Sequence, residues 1–429
     1  MSMQNRTRVH PPGFRTAIAA IGIAVLTGCG GSGSSSSTTT LTLVPASVVL
    51  GQTDFTGQQP NEGGGADADT LNQAFGDVAV NSSGALFVTD TANNRVLGFN
   101  PVPTSNNANA SFVLGQADFT STTPNAGGAT ASNAGFGIPT RVSLSGNFFV
   151  VADTGNNRVL IYNSIPASNV PPDIVIGQSS FTVNSQGCSA TALRNPTAAV
   201  IAGGKLIAVD QGNNRVLIWN SIPTANGTAA DVVLGQPDFT TCTGNSATET
   251  QSSLFQPTDV WSDGFRLLVS DTGDSRVLSW TQIPDSNDAA ANVVIGQSSF
   301  TFSSTSPSAA TTNAPEGITS DGARIFVADF NNNRVLVFDS FPVANGASAD
   351  HVLGQEDFTH ITANDDNGDT DSPQDGVAEA SPTARTLKSP TGVAYEATDG
   401  SLWVTDRGNN RVLKYDAAEL SKAVGSSSS

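Results

Sequence analysis

Short apolar runs separated by polar turns make up most of the chain. One run, Phe149-Val150-Val151, ends at Asp153, and Arg158 opens the next run, Val159-Leu160-Ile161. Apolar runs of this length joined by Asp, Gly and Asn are typical of a β-hairpin, because these turn residues tolerate left-handed backbone and Asp accepts hydrogen bonds from nearby amides. The pattern therefore predicts a hairpin between residues 149 and 161.

The same hairpin signature, Asp-x-x-Asn-Asn-Arg-Val-Leu in most copies, occurs six times along the sequence. Internal repetition of this kind indicates a repeat architecture. A motif present in every unit is expected to be structural, and we expect its Arg to tie neighbouring turns together. The repeated residues are Asp90 and Arg95, Asp153 and Arg158, Asp210 and Arg215, Asp271 and Arg276, Asp329 and Arg334, and Asp406 and Arg411.

A second motif, of the type Gly-Gln-x-Asp-Phe, alternates with the hairpins and also occurs six times. The first copy, Gly51 to Phe55, comes before the first hairpin. No copy follows the last hairpin, which is followed only by Lys414-Tyr415-Asp416 and a polar tail, residues 417–429. With a weaker Pro-Thr-Gly-Val signal before each hairpin, one unit reads as four short strands. The sequence predicts an all-β, six-bladed β-propeller over residues 47–416, closed when the amino-terminal outer strand pairs with the sixth blade.

Each unit resembles the NHL repeat, a family of six-bladed propellers. The resemblance rests on the apolar pair, the Asp, the Asn-Arg-Val-Leu run and the preceding Pro-x-Gly-Val, and it covers residues 47–416. The fourth unit departs from it, since Asp274-Ser275 replaces Asn-Asn. The resemblance implies the architecture and a ligand-binding face, because the family includes RNA binders, signalling sensors and lyases.

The amino terminus has the features of a bacterial lipoprotein. Three arginines precede an apolar run that is too short to span a membrane, and residues 1–28 therefore read as a signal peptide. Leu26-Thr27-Gly28-Cys29 resembles the lipobox, which implies that Cys29 is lipidated. Residues 29–46 would then be a flexible Gly/Ser/Thr tether, and the expected location is the bacterial cell envelope, at the outer membrane. An ordinary signal peptide is the alternative.

The charge of the chain excludes one class of partner. The 429 residues include 19 Lys and Arg against 37 Asp and Glu, for a formal net charge of -18. Nucleic-acid binding needs a basic surface, so no nucleic-acid partner is expected. The remaining partners are the membrane, through the amino-terminal lipid, and a protein, peptide or glycan ligand on the loops.

Residues at the start of the predicted inner strands should surround the mouth of the central channel. Among them, Asp77, Arg141, Asp259 and Glu316 carry charge and are the candidate ligand-binding residues. We expect their side chains to point at solvent. In six-bladed lactonases of similar shape, carboxylates at the mouth hold a catalytic calcium ion, although Arg141 speaks against that arrangement here.

Cys188 and Cys242 fall in consecutive connections between predicted blades. In an oxidising compartment an even pair of cysteines favours a disulfide, and two free surface thiols are the alternative.

The last long connection carries oxygen-bearing side chains at alternate positions. Asp365, Asn367, Asp369 and Asp371 resemble the first half of a calcium loop, because Ca²⁺ takes several oxygen ligands. Thr370 replaces the Gly of such a loop, so a solvated acidic insertion remains the favoured interpretation and calcium the only possible cofactor. Histidines are too few to encircle the channel, and zinc catalysis is not expected.

The sequence favours a lipid-anchored extracytoplasmic binding or scaffolding module without enzyme activity. The alternative is a calcium-dependent hydrolase or lyase, lactonase-like or acting on glycans, with its site at the channel mouth.

Overall fold

The strands of the predicted repeat form sheets in sequence order. The computed structural model describes residues 43–73, 77–128, 131–133, 135–244, 249–366, 376–422 and 424–425, and residues 41–429 belong to one compact unit. Within the described residues the strands form six antiparallel sheets, or blades, and adjacent innermost strands contact one another around a closed ring. The predicted all-β six-bladed propeller is confirmed.

In each of five blades, four strands come from one continuous stretch of chain and run in order from the channel to the rim. Blade 1 contains β2 (Val78–Val80), β3 (Leu86–Asp90), β4 (Arg95–Phe99) and β5 (Phe112–Leu114). Blade 2 contains β6 (Pro139–Ser145), β7 (Phe148–Asp153), β8 (Arg158–Tyr162) and β9 (Ile174–Ile176). Blade 3 contains β10 (Pro196–Ala202), β11 (Lys205–Asp210), β12 (Arg215–Trp219) and β13 (Val232–Leu234). Blade 4 contains β14 (Asp259–Ser262), β15 (Leu267–Asp271), β16 (Arg276–Trp280) and β17 (Val293–Ile295). Blade 5 contains β18 (Pro315–Ser320), β19 (Ile325–Asp329), β20 (Arg334–Phe338) and β21 (His351–Leu353).

The sixth blade combines both ends of the propeller sequence. It contains β22 (Pro390–Glu396), β23 (Ser401–Asp406), β24 (Arg411–Tyr415) and, at the rim, β1 (Val48–Leu50). In the antiparallel pair, Val49 of β1 lies opposite Leu413 of β24. The predicted closure by the amino-terminal strand is confirmed, and it ties the two ends of the ring together without a free edge on β24.

The residues after the last blade continue into further structure. A short helix, α1 (Ala417–Leu420), buries Leu420, and β25 (Val424–Gly425) pairs with β21 as a fifth strand on blade 5. The polar tail expected over residues 417–429 thus has ordered elements in its described part. In that part of the chain, no helix has the length and apolarity needed to cross a membrane.

The hydrophobic core lies between neighbouring blades. In one cluster, Ile207 and Val209 of blade 3 pack with Val260 and Val269 of blade 4. Each blade is covered on both faces, so both sets of alternating side chains are buried. This explains why the strands read as continuous apolar runs instead of an alternation of apolar and polar residues.

A buried ion pair closes the hairpin of every blade. In blade 2, Nε of Arg158 donates to Oδ2 of Asp153 at 2.6 Å, and the Asn156 side chain donates to the same oxygen at 2.9 Å. The other carboxylate oxygen accepts the backbone N–H of Gly137 at 2.7 Å. A 3-10 turn joins the two strands, and Asn157 leaves it with a left-handed φ of 52°. We call the face of the ring that carries these turns the loop face.

The guanidinium group extends this hairpin to the connections on both sides. Nη1 of Arg158 donates to the carbonyl of Phe181, in the second motif of its own blade, at 2.6 Å. Nη2 donates to Ser132 and Gly135, in the preceding connection, at 2.8 and 3.0 Å. The Arg therefore joins its turn to two loop segments, which refines the expectation that it ties turns to turns.

The residue before each Arg links its blade to the next one. The side-chain oxygen of Asn157 accepts the backbone N–H of Asn195 at 2.9 Å, just before the inner strand of blade 3. In blade 4, Ser275 makes the same contact with its hydroxyl oxygen, at 3.2 Å from the Ala314 nitrogen. The other four contacts are Asn94 with Ile138, Asn214 with Gln256, Asn333 with Ser389, and Asn410 with Gln73.

The Gly-Gln pair of the second motif adds to the contacts that join each hairpin turn to its connections; together we call these contacts the hairpin frame. Gly177 has a φ of +85°, and a Cβ there would lie 2.6 Å from Cδ1 of Leu193. Nε2 of Gln178 donates to the carbonyls of Asn157 and Ser185 at 2.8 and 2.9 Å. In this motif the Gly is needed for its backbone conformation and the close approach of a side chain, and the Gln is needed for its hydrogen bonds.

Replacing Arg158 with Ala should strongly destabilise the ring, because it leaves the buried carboxylate of Asp153 without its cation. We expect a loss of about 3–5 kcal/mol in the free energy of unfolding, measured with urea. Lys422→Ala is the control, since the Lys422–Glu419 pair is exposed and its loss should cost less than about 1 kcal/mol. Equal, small losses in both variants would contradict the role assigned to the buried pair.

Candidate binding site at the channel mouth

The inner strands bring the four charged candidates together beneath the loop face. The Arg141 guanidinium lies among three carboxylates: Nη1 is 3.7 Å from Oδ2 of Asp77, Nε is 3.5 Å from Oδ1 of Asp259, and Nη2 is 3.9 Å from Oε2 of Glu316. These residues come from blades 1, 2, 4 and 5. The structure thus makes one cluster of residues that are far apart in sequence.

The expectation that these side chains point at solvent is wrong. The exposed fraction is 4% for Arg141, 5% for Asp259, 16% for Asp77 and 19% for Glu316. The inner strands converge on the channel axis, so side chains directed inward meet one another before they meet water.

Backbone amides hold two of the carboxylates in place. Oδ1 and Oδ2 of Asp259 accept the N–H groups of Val260 and Ile318, each at 2.8 Å, and Oδ1 of Asp77 accepts the Val78 N–H at 2.9 Å. The positions of these acids are therefore fixed by the strands. A ligand would meet a preorganised set of acceptors.

Arg141 is held mainly by charge and not by close hydrogen bonds. Its Nη2 donates to the Thr391 carbonyl at 3.4 Å, and its Nη1 is buried without a hydrogen-bond partner among the described residues. Buried donors are normally satisfied, because an unmade hydrogen bond costs about 1–3 kcal/mol. An unsatisfied guanidinium nitrogen at the centre of a cluster is therefore a functional candidate.

The cluster perturbs the ionisation of its acids. Burial raises the pKa of Asp77 to about 8; the positive charge of Arg141 opposes this rise and the negative charge of Asp259 adds to it. Burial also raises the pKa values of Asp259 and Glu316, again against the charge of Arg141. Near neutral pH, Asp77 therefore tends to keep its proton, and perturbed groups of this kind are concentrated at functional sites.

Arg141 separates two cavities along the channel. The outer cavity, of about 230 Å³, lies under the loop face and is lined by Arg141, Glu316 and the threonines Thr140, Thr197 and Thr258. The hydroxyl of Thr197 is a second buried group without a hydrogen bond among the described residues. Two residues that line the outer cavity, Arg141 and Thr197, thus each carry an unsatisfied polar group.

The inner cavity continues down the channel from the same arginine. Its volume is about 200 Å³, and its walls include Val80, Val200, Trp261 and Tyr395. Asp77 and Asp259 line this inner cavity, Glu316 lines the outer one, and Arg141 lines both.

The donor set at the mouth is poorly suited to calcium. The guanidinium of Arg141 already supplies positive charge within 4 Å of all three carboxylates, and Ca²⁺ needs ionised or neutral oxygen ligands with no competing cation. A protonated Asp77 would weaken the site further. These residues therefore suit hydrogen bonding to an uncharged group better than metal ligation.

The acidic connection is described only in part. Asp365 is buried, and its Oδ2 accepts the Gly376 N–H at 2.9 Å. Asn367, Asp369 and Asp371 lie outside the described residues. The favoured interpretation, a solvated acidic insertion, and the alternative, a calcium site, both stay predictions.

The two cysteines of the propeller are joined. Cys188 and Cys242 form a disulfide with a Cα–Cα distance of 6.4 Å. It links the connection that precedes blade 3 to the connection that follows it. Cys29, the proposed lipidation site, lies outside the described residues.

The sequence analysis missed the threonines of the outer cavity and Arg407. The charge of Arg407 lowers the pKa of Glu316, although burial raises it more strongly. Arg407 follows the hairpin Asp, at a position where Thr154 donates to the Pro196 carbonyl of the next blade at 2.6 Å. Comparing the six copies at this position could have revealed Arg407, because only there does the turn carry a cation.

Replacing Asp77 with Asn should flatten the pH dependence of stability. The pKa of Asp77 is raised from 3.8 to about 8, so its stabilising contribution is full below pH 4 and is lost as the pH rises toward 8. The melting temperature of the parent should therefore fall by several degrees relative to the variant across this range.

Asp118→Asn is the matched control for this measurement. Hydrogen bonds from Ser121 and Thr120 lower the pKa of the exposed Asp118, so this acid is ionised in both states above pH 4. Melting curves of parent and Asp77→Asn that stay parallel from pH 4 to pH 8 would contradict a buried, protonated Asp77.

Comparison with known proteins finds one family model. The family model for the NHL repeat matches residues 387–415. No curated protein matches the chain in sequence. Three of the solved structures that resemble the chain are propellers or proteins named for a ligand.

The WD40 β-propeller domain of Doa1 is 8% identical, with 89% of this chain and 95% of that chain covered and a TM-score of 0.45. A streptogramin B lyase is 13% identical, with 79% and 91% covered and a TM-score of 0.41. An auxiliary nutrient binding protein from Bacteroides thetaiotaomicron is 12% identical, with 85% and 75% covered and a TM-score of 0.46. From its strands, its repeated hairpins and the family match in the sixth blade, the chain is a six-bladed β-propeller that carries an NHL repeat.

Proposed function

We propose that the protein is a lipid-anchored binding module of the cell envelope, and that the outer cavity holds a neutral, hydroxyl-rich ligand such as a sugar unit of a glycan. One observation carries this proposal: Nη1 of Arg141 is buried and lacks a hydrogen bond among the described residues, and Arg141 lines the outer cavity. A ligand oxygen would satisfy it.

The balance of charge in the cluster supports an uncharged ligand. The carboxyl groups of Asp77, Asp259 and Glu316 lie beside the Arg141 guanidinium, and Arg407 adds a second positive charge near Glu316. Acidic and basic groups therefore meet at one site. A charged ligand would be desolvated in this site without a surplus of opposite charge, and that is costly.

The mixture of donors and acceptors supports a hydroxylated ligand. A hydroxyl group can donate one hydrogen bond and accept two. It can therefore accept from Arg141 and donate to Glu316, while neighbouring hydroxyls meet Thr197 and Thr258. A purely anionic or purely cationic group would satisfy only one of these partners.

The size of the outer cavity supports a small unit and not a whole protein surface. Its volume of about 230 Å³ far exceeds the roughly 10–15 Å³ that one water needs by the same measure. Ile138, 51% exposed, provides an apolar edge at the same cavity. Polar groups for orientation beside an apolar wall are usual in ligand sites.

An enzymatic alternative rests on Asp77. A carboxylic acid with a pKa of about 8 that is 16% exposed has the protonation state of a general acid at neutral pH, with Asp259 as a nearby carboxylate. A hydrolase or lyase acting on lactones or glycans would use these residues. Calcium dependence would need a site other than the Arg141 cluster.

Binding to the purified full-length protein, measured by calorimetry, tests the proposal. The panel contains neutral oligosaccharides, uronate-containing oligosaccharides and short peptides. We expect a neutral oligosaccharide to bind, and both Arg141→Met and Glu316→Gln to weaken it at least tenfold, which is about 1.4 kcal/mol. The lost hydrogen bonds of a buried, charged group are the reason.

Arg266→Met is the control, because the half-buried Arg266 lies at the opposite end of blade 4 from the loop face. Binding that is unchanged in Arg141→Met, with its fold verified by melting, would refute the mouth site. Turnover of a lactone or glycan that Asp77→Asn abolishes would favour the enzymatic alternative.

We also propose that Cys29 carries the lipid anchor, on the strength of the lipobox and the Gly/Ser/Thr segment that follows it. Cys29→Ala should shift the protein from the membrane fraction to the soluble fraction. The mass of the amino-terminal peptide should show a lipid in the parent. An unmodified amino terminus in the membrane-bound parent would contradict the proposal that Cys29 is lipidated.

A further inference from the structure

The second motif places an Asp turn at the rim of four blades. In the first copy, Oδ1 of Asp54 accepts the N–H and the hydroxyl of Thr56 at 2.8 and 2.6 Å. In blade 5, Oδ1 of Asp357 accepts the same two groups of Thr359 at 2.6 and 2.8 Å. The remaining copies of this turn are Asp118 with Thr120 and Asp238 with Thr240. The turn itself is therefore structural.

Blade 5 differs from the other three copies on both sides of this Asp. Glu356 precedes the Asp where the other copies have Thr53, Ala117 and Pro237. His360 stands three residues after it where the others have Gly57, Ser121 and Thr241. Two metal-ligating residue types are thus added around an acid whose position the turn already fixes.

The three side chains converge. One ligand atom from each of Glu356, Asp357 and His360 lies within 4.8 Å of the other two, and Nδ1 of His360 is 2.9 Å from Oδ1 of Asp357. Ligand atoms in a tetrahedral zinc site with bonds near 2.1 Å are about 3.4 Å apart. Small side-chain rotations would therefore bring all three around one ion.

The exposure of the group suits a metal ion. The side chains of His360 and Asp357 are 30% and 35% exposed, so an ion can enter and water can complete its coordination. The N–H and the hydroxyl of Thr359 both donate to Oδ1 of Asp357. The turn therefore holds this carboxylate in a fixed position.

We propose that Glu356, Asp357 and His360 form a three-ligand site for a divalent transition-metal ion such as Zn²⁺ on the rim of blade 5. An imidazole with two carboxylates favours zinc, nickel or cobalt over calcium, which prefers an all-oxygen shell. Three protein ligands and solvent are the composition of an open zinc site.

A bound ion would stabilise the connection between blades 5 and 6. Arg334 of the hairpin donates to the Phe358 carbonyl, and Phe358 follows Asp357 directly in the chain. An ion bound here would fasten the start of that connection to the turn beside the hairpin frame. It would stabilise the folded protein, because an ion that binds only the native state shifts the equilibrium toward it.

Calorimetric titration of the tag-free, full-length protein with ZnCl₂ and NiCl₂, after chelator treatment, tests this site. We expect one site in the parent, weakened at least tenfold in His360→Ala and in the nearly isosteric Glu356→Gln. Zinc should also raise the melting temperature of the parent and of the control, but not that of His360→Ala.

His351→Ala is the control, since it removes the other histidine of the propeller. Nε2 of His351 lies 3.0 Å from Oδ2 of Asp339, away from the turn. Retained zinc affinity in this variant, with loss in the other two, supports the site. Zinc affinity in His360→Ala equal to that of the parent, or no zinc binding by the parent, would overturn it. Neither result bears on the sugar-binding proposal, which concerns the channel mouth.

Discussion

A buried carboxylate–guanidinium pair in each hairpin is the interaction on which the ring depends. The six arginines and their aspartates are at most 1% exposed, and removing such charges from water is expensive unless every donor finds an acceptor. In this fold Nε, Nη1 and Nη2 of Arg158 all do so. The acceptors of Nη1 and Nη2 are backbone carbonyls on two different connections, so the paths of these loops are fixed by the need to satisfy one side chain. Lys could not replace Arg, because it lacks the planar fork of donors.

This frame leaves the inner strands free to vary. At the mouth, the equivalent positions carry Asp77, Arg141 and Asp259 in three blades, and Ala198, Gly317 and Gly392 in the others. Gly317 is constrained by space, since a Cβ there would lie 2.3 Å from the Thr391 carbonyl. At the charged positions the side chains form the mouth cluster. We propose that departures from the repeat, at the mouth and again at the rim of blade 5, add binding chemistry to a scaffold that already holds its shape.

Much of the fold could be predicted from the sequence because its signals are local. The hairpins, the number of blades and the closure by residues 48–50 follow from repeated motifs and from one copy that lacks its partner. The mouth cluster could be predicted only as a set of positions. Whether Arg141 contacts Asp77 and Asp259 or points into water depends on the radius of the ring and the direction of the inner strands. A local sequence pattern predicts neither of these.

Other features were missed because they lie outside the repeat or appear only when the copies of the repeat are compared. Arg407 occupies a turn position that carries Thr in three blades, and its proximity to Glu316 of the neighbouring blade is a property of the ring. The strand β25 lies outside the repeat, so no periodic pattern predicts it. The turn around Asp357 could have been found by the same comparison, since Glu356 and His360 change together at fixed spacing.

We propose that the charged cluster at the channel mouth is a binding site. The most direct measurement is a crystal structure of the protein grown with the neutral oligosaccharide that binds it most tightly. The account predicts a sugar ring in the outer cavity, with one hydroxyl within hydrogen-bond distance of Nη1 of Arg141 and a second one near the Glu316 carboxylate. An oligosaccharide bound elsewhere on the propeller, with only water at Arg141, would contradict it.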